Sequence, residues 1–238
     1  MDFKQIAEKA VKEWFAYQNA LELEFSMRVV EQFHPKIVLE IGTAHNASLA
    51  CWAEAAKPEL AIGIDPFTLP KTPKQQASFD NLVKTYNLKI IPHRSEEPEA
   101  HEKLVALLNG RKIDFMFIDA EHLYENVKYD YYAYLKYMNN PSVIGFNDIY
   151  YSDQLSKAGT GVHILWEKLK KIYNYDEIHA HSSMGNGLIY YPQRRRDMST
   201  KEDISFLNSL LDEEPNPEIR QYLLQRIEEL KKKTGEWE

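Results

Sequence analysis

Four short stretches of this 238-residue chain carry side chains that can do chemistry. Asp119-Ala120-Glu121-His122 and Asn147-Asp148 each end an apolar run. Asp119, Asn147 and Asp148 are hard oxygen donors, the kind that hold Mg²⁺ or Ca²⁺ while leaving positions open for water or substrate. No thiolate set or histidine cluster accompanies them, which disfavours zinc. Glu40-Ile41-Gly42 leads through Thr43-Ala44-His45-Asn46 into Ala47 and Ser48. In that turn Gly42, Asn46 and Ala47 are small or tolerate positive φ, so a ligand can approach backbone. Asp65 ends the next apolar run, 23 residues after Gly42, where a carboxylate can accept both hydroxyls of a ribose. Together these features read as a nucleoside site.

The missing residues narrow the nucleoside. A dinucleotide site wants G-x-G-x-x-G so that pyrophosphate can sit on a helix N-terminus, and only the first of those glycines is present. NAD and FAD therefore recede. A carboxylate at Glu40, two residues before the glycine, favours a cationic ligand where a pyrophosphate would be repelled. The sulfonium of S-adenosylmethionine (SAM) is such a cation.

Elements must bring these residues together. KIVLEIG (36–42), LAIGID (60–65), LKIIP (88–92), IDFMFID (113–119) and SVIGF (142–146) are continuous apolar runs rich in β-branched residues, as strands buried on both faces should be. Helix-like stretches at Ser48–Ala56, Pro73–Tyr86, Glu97–Leu108 and Tyr124–Met138 lie between them, a βα alternation whose connections are too long for hairpins. The fold expected is α/β: a Rossmann-like, doubly wound, mostly parallel seven-stranded sheet. A further helix (Val162–Tyr173) precedes Tyr175–His181 and Gly187–Tyr191, two strand-like runs joined by SSMGNG, which predict an antiparallel edge. Residues 1–35 form an N-terminal helical segment with apolar groups at Phe3, Ile6, Ala10, Trp14, Tyr17, Leu21, Phe25 and Val29, one or two helices by spacing. Residues 36–193 form the ligand-binding domain and 194–238 a helical tail. The tail's stripe of Ile219, Leu223, Leu224, Ile227 and Leu230 packs on its own domain or makes a homodimer.

Composition excludes other classes. The formal charge of −7 repels a phosphate backbone and argues against nucleic acid. No run of about 18 apolar residues predicts a membrane span. One cysteine, Cys51, and an N-terminus without a signal-like apolar region predict a cytoplasmic setting. A small molecule is the expected partner.

With these residues in view, the chain resembles the class I SAM-dependent methyltransferases over about residues 36–191. Glu40-Ile41-Gly42 resembles their first motif, Asp65 their ribose-binding acid, and Ser95 in HRSEE the turn beside adenine. The resemblance implies a cofactor set of Glu40, Gly42, Ala47, Ser48, Asp65, Ser95 and Asp119. IDAEHLYENVKYD followed by GFNDI is similar to metal-dependent sugar O-methyltransferases and cephalosporin-hydroxylase-like proteins. By that likeness Asp119, Asn147 and Asp148 bind Mg²⁺, Glu121 or His122 takes a proton, and the acceptor is a hydroxyl, a saccharide or polyol favoured. Forming a free alkoxide at pH 7 costs roughly 12 kcal/mol, which a cation and a base both lower. The same residues leave open a metal-independent methyltransferase, or a noncatalytic SAM- or nucleotide-binding module. Strand-end carboxylates also serve as helix caps. Tyr150 and Tyr151 either stack on an acceptor or decorate the surface. Acceptor specificity falls to the loops Phe67–Gln76 and Tyr150–Thr160, where Asp153 and Lys157 are candidates.

Overall fold

The computed structural model describes residues 2–150, 159–180 and 183–194, with single positions between 204 and 231. One sheet holds β1 (Ile37–Ile41), β2 (Leu60–Ile64), β3 (Lys89–Ile91), β4 (Ile113–Ile118), β5 (Met138–Asn147), β6 (Tyr173–Ile178) and β7 (Asn186–Arg194), ordered β3-β2-β1-β4-β5-β7-β6. The pairs from β3 through β5 are parallel. β7 runs antiparallel to both β5 and β6, so the antiparallel pair closes one edge as expected. The chain travels outward from β1 to β3 and then returns to place β4 beside β1. That reversal is the switch point beyond which doubly wound sheets bind ligands.

Period-two alternation divides β1 between two cores. Ile37, Leu39 and Ile41 face a core shared with α5 (Pro98–Leu108), α6 (Tyr124–Leu135) and α7 (Val162–Leu169). Val38 faces the other, with α1 (Phe3–Glu13), α2 (Ala20–Phe33), α3 (Ala47–Ala56) and Leu82 of α4 (Pro73–Thr85). Val127, Tyr131, Tyr134, Leu135 and Met138 are all buried.

One helix is shorter than expected, and the spacing elsewhere is only partly followed. The segment 124–138 is not one helix: α6 stops at Leu135 and β5 already begins at Met138. Asn139 and Asn140 are weak helix formers, and a residue before proline avoids helical φ/ψ, so Pro141 forces extension. The apolar spacing through 3–33 is interrupted at 14–19. Tyr17 and Leu21 are 71% and 57% exposed, because Phe15 turns to φ 66° and Asn19 restarts the chain as an N-cap, accepting from Leu21 N–H at 2.9 Å. In the tail, Ile227 is buried with Ile204 and Leu224 is exposed, while Ile219, Leu223 and Leu230 lie outside the described residues, as do Tyr151, Asp153, Lys157 and His181.

Candidate active site

The carboxyl ends of β1, β2, β3, β4 and β5 open onto one cavity of about 1230 Å³. Gly42 makes the turn after β1 at φ 87°, and a Cβ there would lie 2.1 Å from the Asp119 carbonyl oxygen. Only glycine fits both the positive φ and that close approach. Asp119 N–H in turn donates to Ile41 at 2.8 Å, and Gly42 N–H to Ile64 at 2.8 Å, so the ends of β1, β2 and β4 are locked together at the switch point. Gly42, Ala47 and Ser48 line the cavity.

Asp65 ties the turn down. Its Oδ2 accepts from Ala44 N–H at 2.8 Å and its Oδ1 from Phe67 N–H at 2.6 Å. Each oxygen keeps a second lone pair for a ligand hydroxyl, and the residue is half-buried at the cavity wall.

Glu40 is placed otherwise than expected. It shares the inner face of β1 with Val38, pointing toward α3 and away from the cavity, and is fully buried. Ser48 Oγ donates to its Oε1 at 2.5 Å, and burial, opposed by that hydrogen bond, pushes its pKa well above the ordinary carboxylate range. It therefore offers no surface charge to a cationic ligand, and its part is to pin α3 to β1.

The turn carries polar groups that the sequence reading passed over. Thr43 Oγ1, His45 Nδ1 and both amide atoms of Asn46 are buried without a hydrogen-bond partner. His45 packs against Phe15 and Tyr17, ring centroids 6.0 and 5.3 Å away, and burial lowers its pKa, keeping the ring neutral. Unsatisfied buried groups are costly, and such a cluster beside a cavity is what a polar ligand would satisfy. The residues present thus fit a SAM-like cofactor.

Beside this turn, Asp119, Glu121, His122, Asn147 and Asp148 also line the cavity. His122 lies between two carboxylates, Nε2 at 3.1 Å from Asp119 Oδ1 and Nδ1 at 3.6 Å from Asp148 Oδ2. Asn147 Nδ2 donates to Asp148 Oδ1 at 2.8 Å, and Gln18 Nε2 donates to Asp119 Oδ2. The Asp119 hydrogen bond, against burial, raises the pKa of His122. Burial, against the His122 contact, raises Asp119 and pushes Asp148 up to about 6. Asp148 also holds φ 60°, a conformation aspartate tolerates and one that marks constructed sites. Glu121 is engaged by Arg94 Nη2 and half exposed. Two partly buried carboxylates and an amide oxygen suit a hard divalent cation by donor type.

Ser95, in the turn after β3, also lines the cavity, its carbonyl accepting from Tyr134 Oη at 2.8 Å. Tyr150, by contrast, stacks on His179 with centroids 4.3 Å apart. The break between α1 and α2 supplies Gln18, and α2 supplies Glu22, whose Oε1 accepts from Gly185 N–H at 2.9 Å and from Ser183 Oγ. Neither residue is legible from spacing. Asn19 as an N-cap was the available sign that the chain turns there.

Residues 39–149 match the methyltransferase domain family Methyltransf_24. An uncharacterized protein of Acanthamoeba polyphaga mimivirus is 32% identical over 114 residues, 46% of this chain and 50% of that protein, so the chain spans about half the length of this relative. A Staphylococcus aureus protein described as a caffeoyl-CoA O-methyltransferase has TM-score 0.55 at 15% identity, over 80% of this chain and 92% of its own. A Podospora anserina methyltransferase with bound S-adenosylhomocysteine (SAH) gives 0.51 at 16%, over 81% and 89%. A Bacillus cereus O-methyltransferase in complex with SAH gives 0.51 at 13%, over 79% and 88%. These structural likenesses are of fold. The sheet order is that of a Rossmann-like methyltransferase fold, and residues 39–149, a little under half of the chain, are similar to a methyltransferase domain.

Proposed function

We propose that the protein transfers the methyl group of SAM to a hydroxyl of a small molecule, a saccharide or polyol being the favoured class. The carrying observation is His122, held between Asp119 and Asp148 on the wall of the cavity that Gly42, Asp65 and Ser95 also line. Ala47, Ser48 and the polar turn at 43–46 would meet the amino-acid end of the cofactor, Asp65 its ribose and Ser95 its base. Asp119 accepts the Nε2 proton at 3.1 Å, which assigns the lone pair to Nδ1. Nδ1 faces Asp148 across 3.6 Å, too far for a hydrogen bond. A hydroxyl seated there gives its proton to Nδ1 as its oxygen bonds the methyl carbon and the carbon–sulfur bond breaks, leaving SAH. Glu121 is engaged by Arg94 and is the second candidate. Gln18, Asn19, Glu22, Asn126 and Ser183 line the cavity near this end, hydrogen-bonding groups suited to an acceptor with several hydroxyls.

Asp119, Asn147 and Asp148 would hold Mg²⁺, which when bound supplies positive charge against an oxygen losing its proton. A specific observation favours a metal-independent second reading: Gln18, His122 and Asn147 already direct N–H groups at the carboxylate oxygens. Among the described residues, the group of His, Cys, Asp and Glu whose ligand atoms all lie within 4.8 Å is His93, Glu97 and Glu99, not the Asp119 rim. Transfer of labelled methyl from SAM to a panel of saccharides and polyols tests the main reading, and no labelled product from any of them would defeat the acceptor class. Loss of that turnover in EDTA with recovery in Mg²⁺ supports the metal, and unchanged turnover establishes the second reading.

A further inference from the structure

The N-terminal segment closes the end of the cavity beside Asp148 with groups that accept hydrogen bonds. Glu22, in the first turn of α2, is 1% exposed yet belongs to the cavity wall. Ser183 Oγ donates to its Oε1, and so does Gly185 N–H at 2.9 Å. Residues 183–185 are tied in turn to those just after Asp148, Ile149 N–H donating to the Gly185 carbonyl at 3.3 Å and Tyr150 N–H to the Met184 carbonyl at 2.8 Å. The other oxygen of Glu22, Oε2, accepts from none of the described residues, and it is not sealed from the cavity as the unpartnered atoms of the 43–46 turn are. Gln18, four residues earlier, spends an amide N–H on Asp119, and its amide oxygen also accepts from none of the described residues. The cations of the cavity wall are committed elsewhere: His122 between Asp119 and Asp148, Lys128 with Glu125, Arg94 with Glu96 and Glu121, His93 with Glu97, and Lys71 over the rings of Phe67 and Phe79. Among the described residues no Lys, Arg or His pairs with Glu22. A buried carboxylate without a counter-charge is costly. Mg²⁺ on Asp119 and Asp148 would leave it so, since those two carboxylates already balance the charge of the ion.

We propose that Glu22 is a specificity-determining residue that binds a protonated amino group of the acceptor, which narrows the acceptor class to amino sugars and amino polyols. This rests on the methyl-transfer reading above. An acceptor hydroxyl could donate to Oε2 but would leave its charge uncompensated, whereas an ammonium group supplies both the proton and the charge, with three donors and no acceptor. The Gln18 amide oxygen is a further acceptor on the same segment. The amino group of the cofactor is the rival source of this chemistry. Glu22, however, is moored to residues just before β7 and through them to the end of β5, away from the ends of β1, β2 and β3 along which the cofactor is read.

The test is transfer of labelled methyl from SAM at pH 7, by the whole protein, to matched pairs: glucosamine and glucose, galactosamine and galactose, 1-amino-1-deoxysorbitol and sorbitol. Wild type stands beside Glu22→Gln, which keeps an oxygen for Ser183 and Gly185 and removes the charge. In at least one pair wild type should favour the amine at least about tenfold in kcat/KM, with the label on oxygen by NMR. Glu22→Gln should bring that ratio to within about threefold of unity, mostly through KM, while SAH affinity by calorimetry stays within about threefold of wild type. Use of the neutral member of every pair as readily as the amine would overturn the assignment on wild type alone, whether or not the variant folds. A preference for the amine that survives in Glu22→Gln would overturn it as well, leaving Glu22 a cap on residues 183–185. Label on nitrogen would make the amine the nucleophile, and a parallel loss of SAH affinity would put the cofactor's own amino group at Glu22; either overturns it. Transfer to no member of any pair would remove the acceptor class itself, and the Glu22 assignment with it, whereas transfer without discrimination would remove Glu22 alone.

Discussion

At the residue scale, burial sets the protonation of Asp130, pushing it up to about 7 against a smaller opposing hydrogen bond from Ser95. In the unfolded chain the group titrates near 3.9. Below about pH 4 it is protonated in both states and its contribution to stability is complete. As pH rises the unfolded chain ionises first, and that contribution is lost until pH passes about 7. Asp130→Asn should therefore match wild type near pH 4 and exceed it by on the order of 2–4 kcal/mol at pH 8. Urea unfolding at the two pH values checks this, and a difference independent of pH would contradict it. In the proposed reaction His122 is the base. His122→Ala should lower kcat by about 10²–10⁴ while leaving SAH affinity within about threefold, because its ring contacts Asp119 and faces Asp148, not the turn at 42–48. Parallel losses in kcat and in SAH binding would show a structural role instead.

At the element scale, the turn after β1 and the break between α1 and α2 make different demands on stability. Gly42→Ala places a methyl group against the Asp119 backbone at an unfavourable φ, so a loss of about 2–4 kcal/mol is expected together with loss of SAH binding; a fully stable Gly42→Ala that still binds SAH would refute the close approach of β1 and β4. Tyr17 is mostly exposed and touches His45. Tyr17→Ala should cost less than about 1 kcal/mol yet raise KM for SAM or acceptor several-fold in steady-state kinetics. A large change in melting temperature with unaltered KM would place Tyr17 in the fold and not in the site. The elements differ in how far they were legible. Strands such as IVLEI are buried on both faces, so their sequence is a continuous apolar run with polar residues at its end, and both the strand and its functional terminus can be read. The helix break at 14–19 disguises itself, since Trp14, Tyr17 and Leu21 continue a helical spacing that the backbone does not follow. Glu40 misled for a related reason. Its position two before Gly42 suggested the ligand, whereas strand alternation turns it into the core beside Ser48.

At the scale of the whole molecule, the site is assembled from contacts far apart in sequence. Gln18 and Asp119 are separated by 101 residues, and Glu22 and Ser183 by 161. Local pattern carries no signal for such pairs, which is why the rim of Asp119, His122, Asn147 and Asp148 could be read while the N-terminal residues that close over it could not. The rim was legible because parallel strands deliver their ends to one side of the sheet, and topology alone then gathers residues from β4 and β5. No described helix is long and apolar enough to cross a membrane. The central claim is that this cavity holds SAM along the ends of β1, β2 and β3. Titration of the purified protein with SAH, beside an Asp65→Ala control that melts as a folded protein, tests it most directly. Micromolar binding to wild type, weakened at least about tenfold in the control, is the expected result; no binding to wild type, or equal binding by the control, would contradict it.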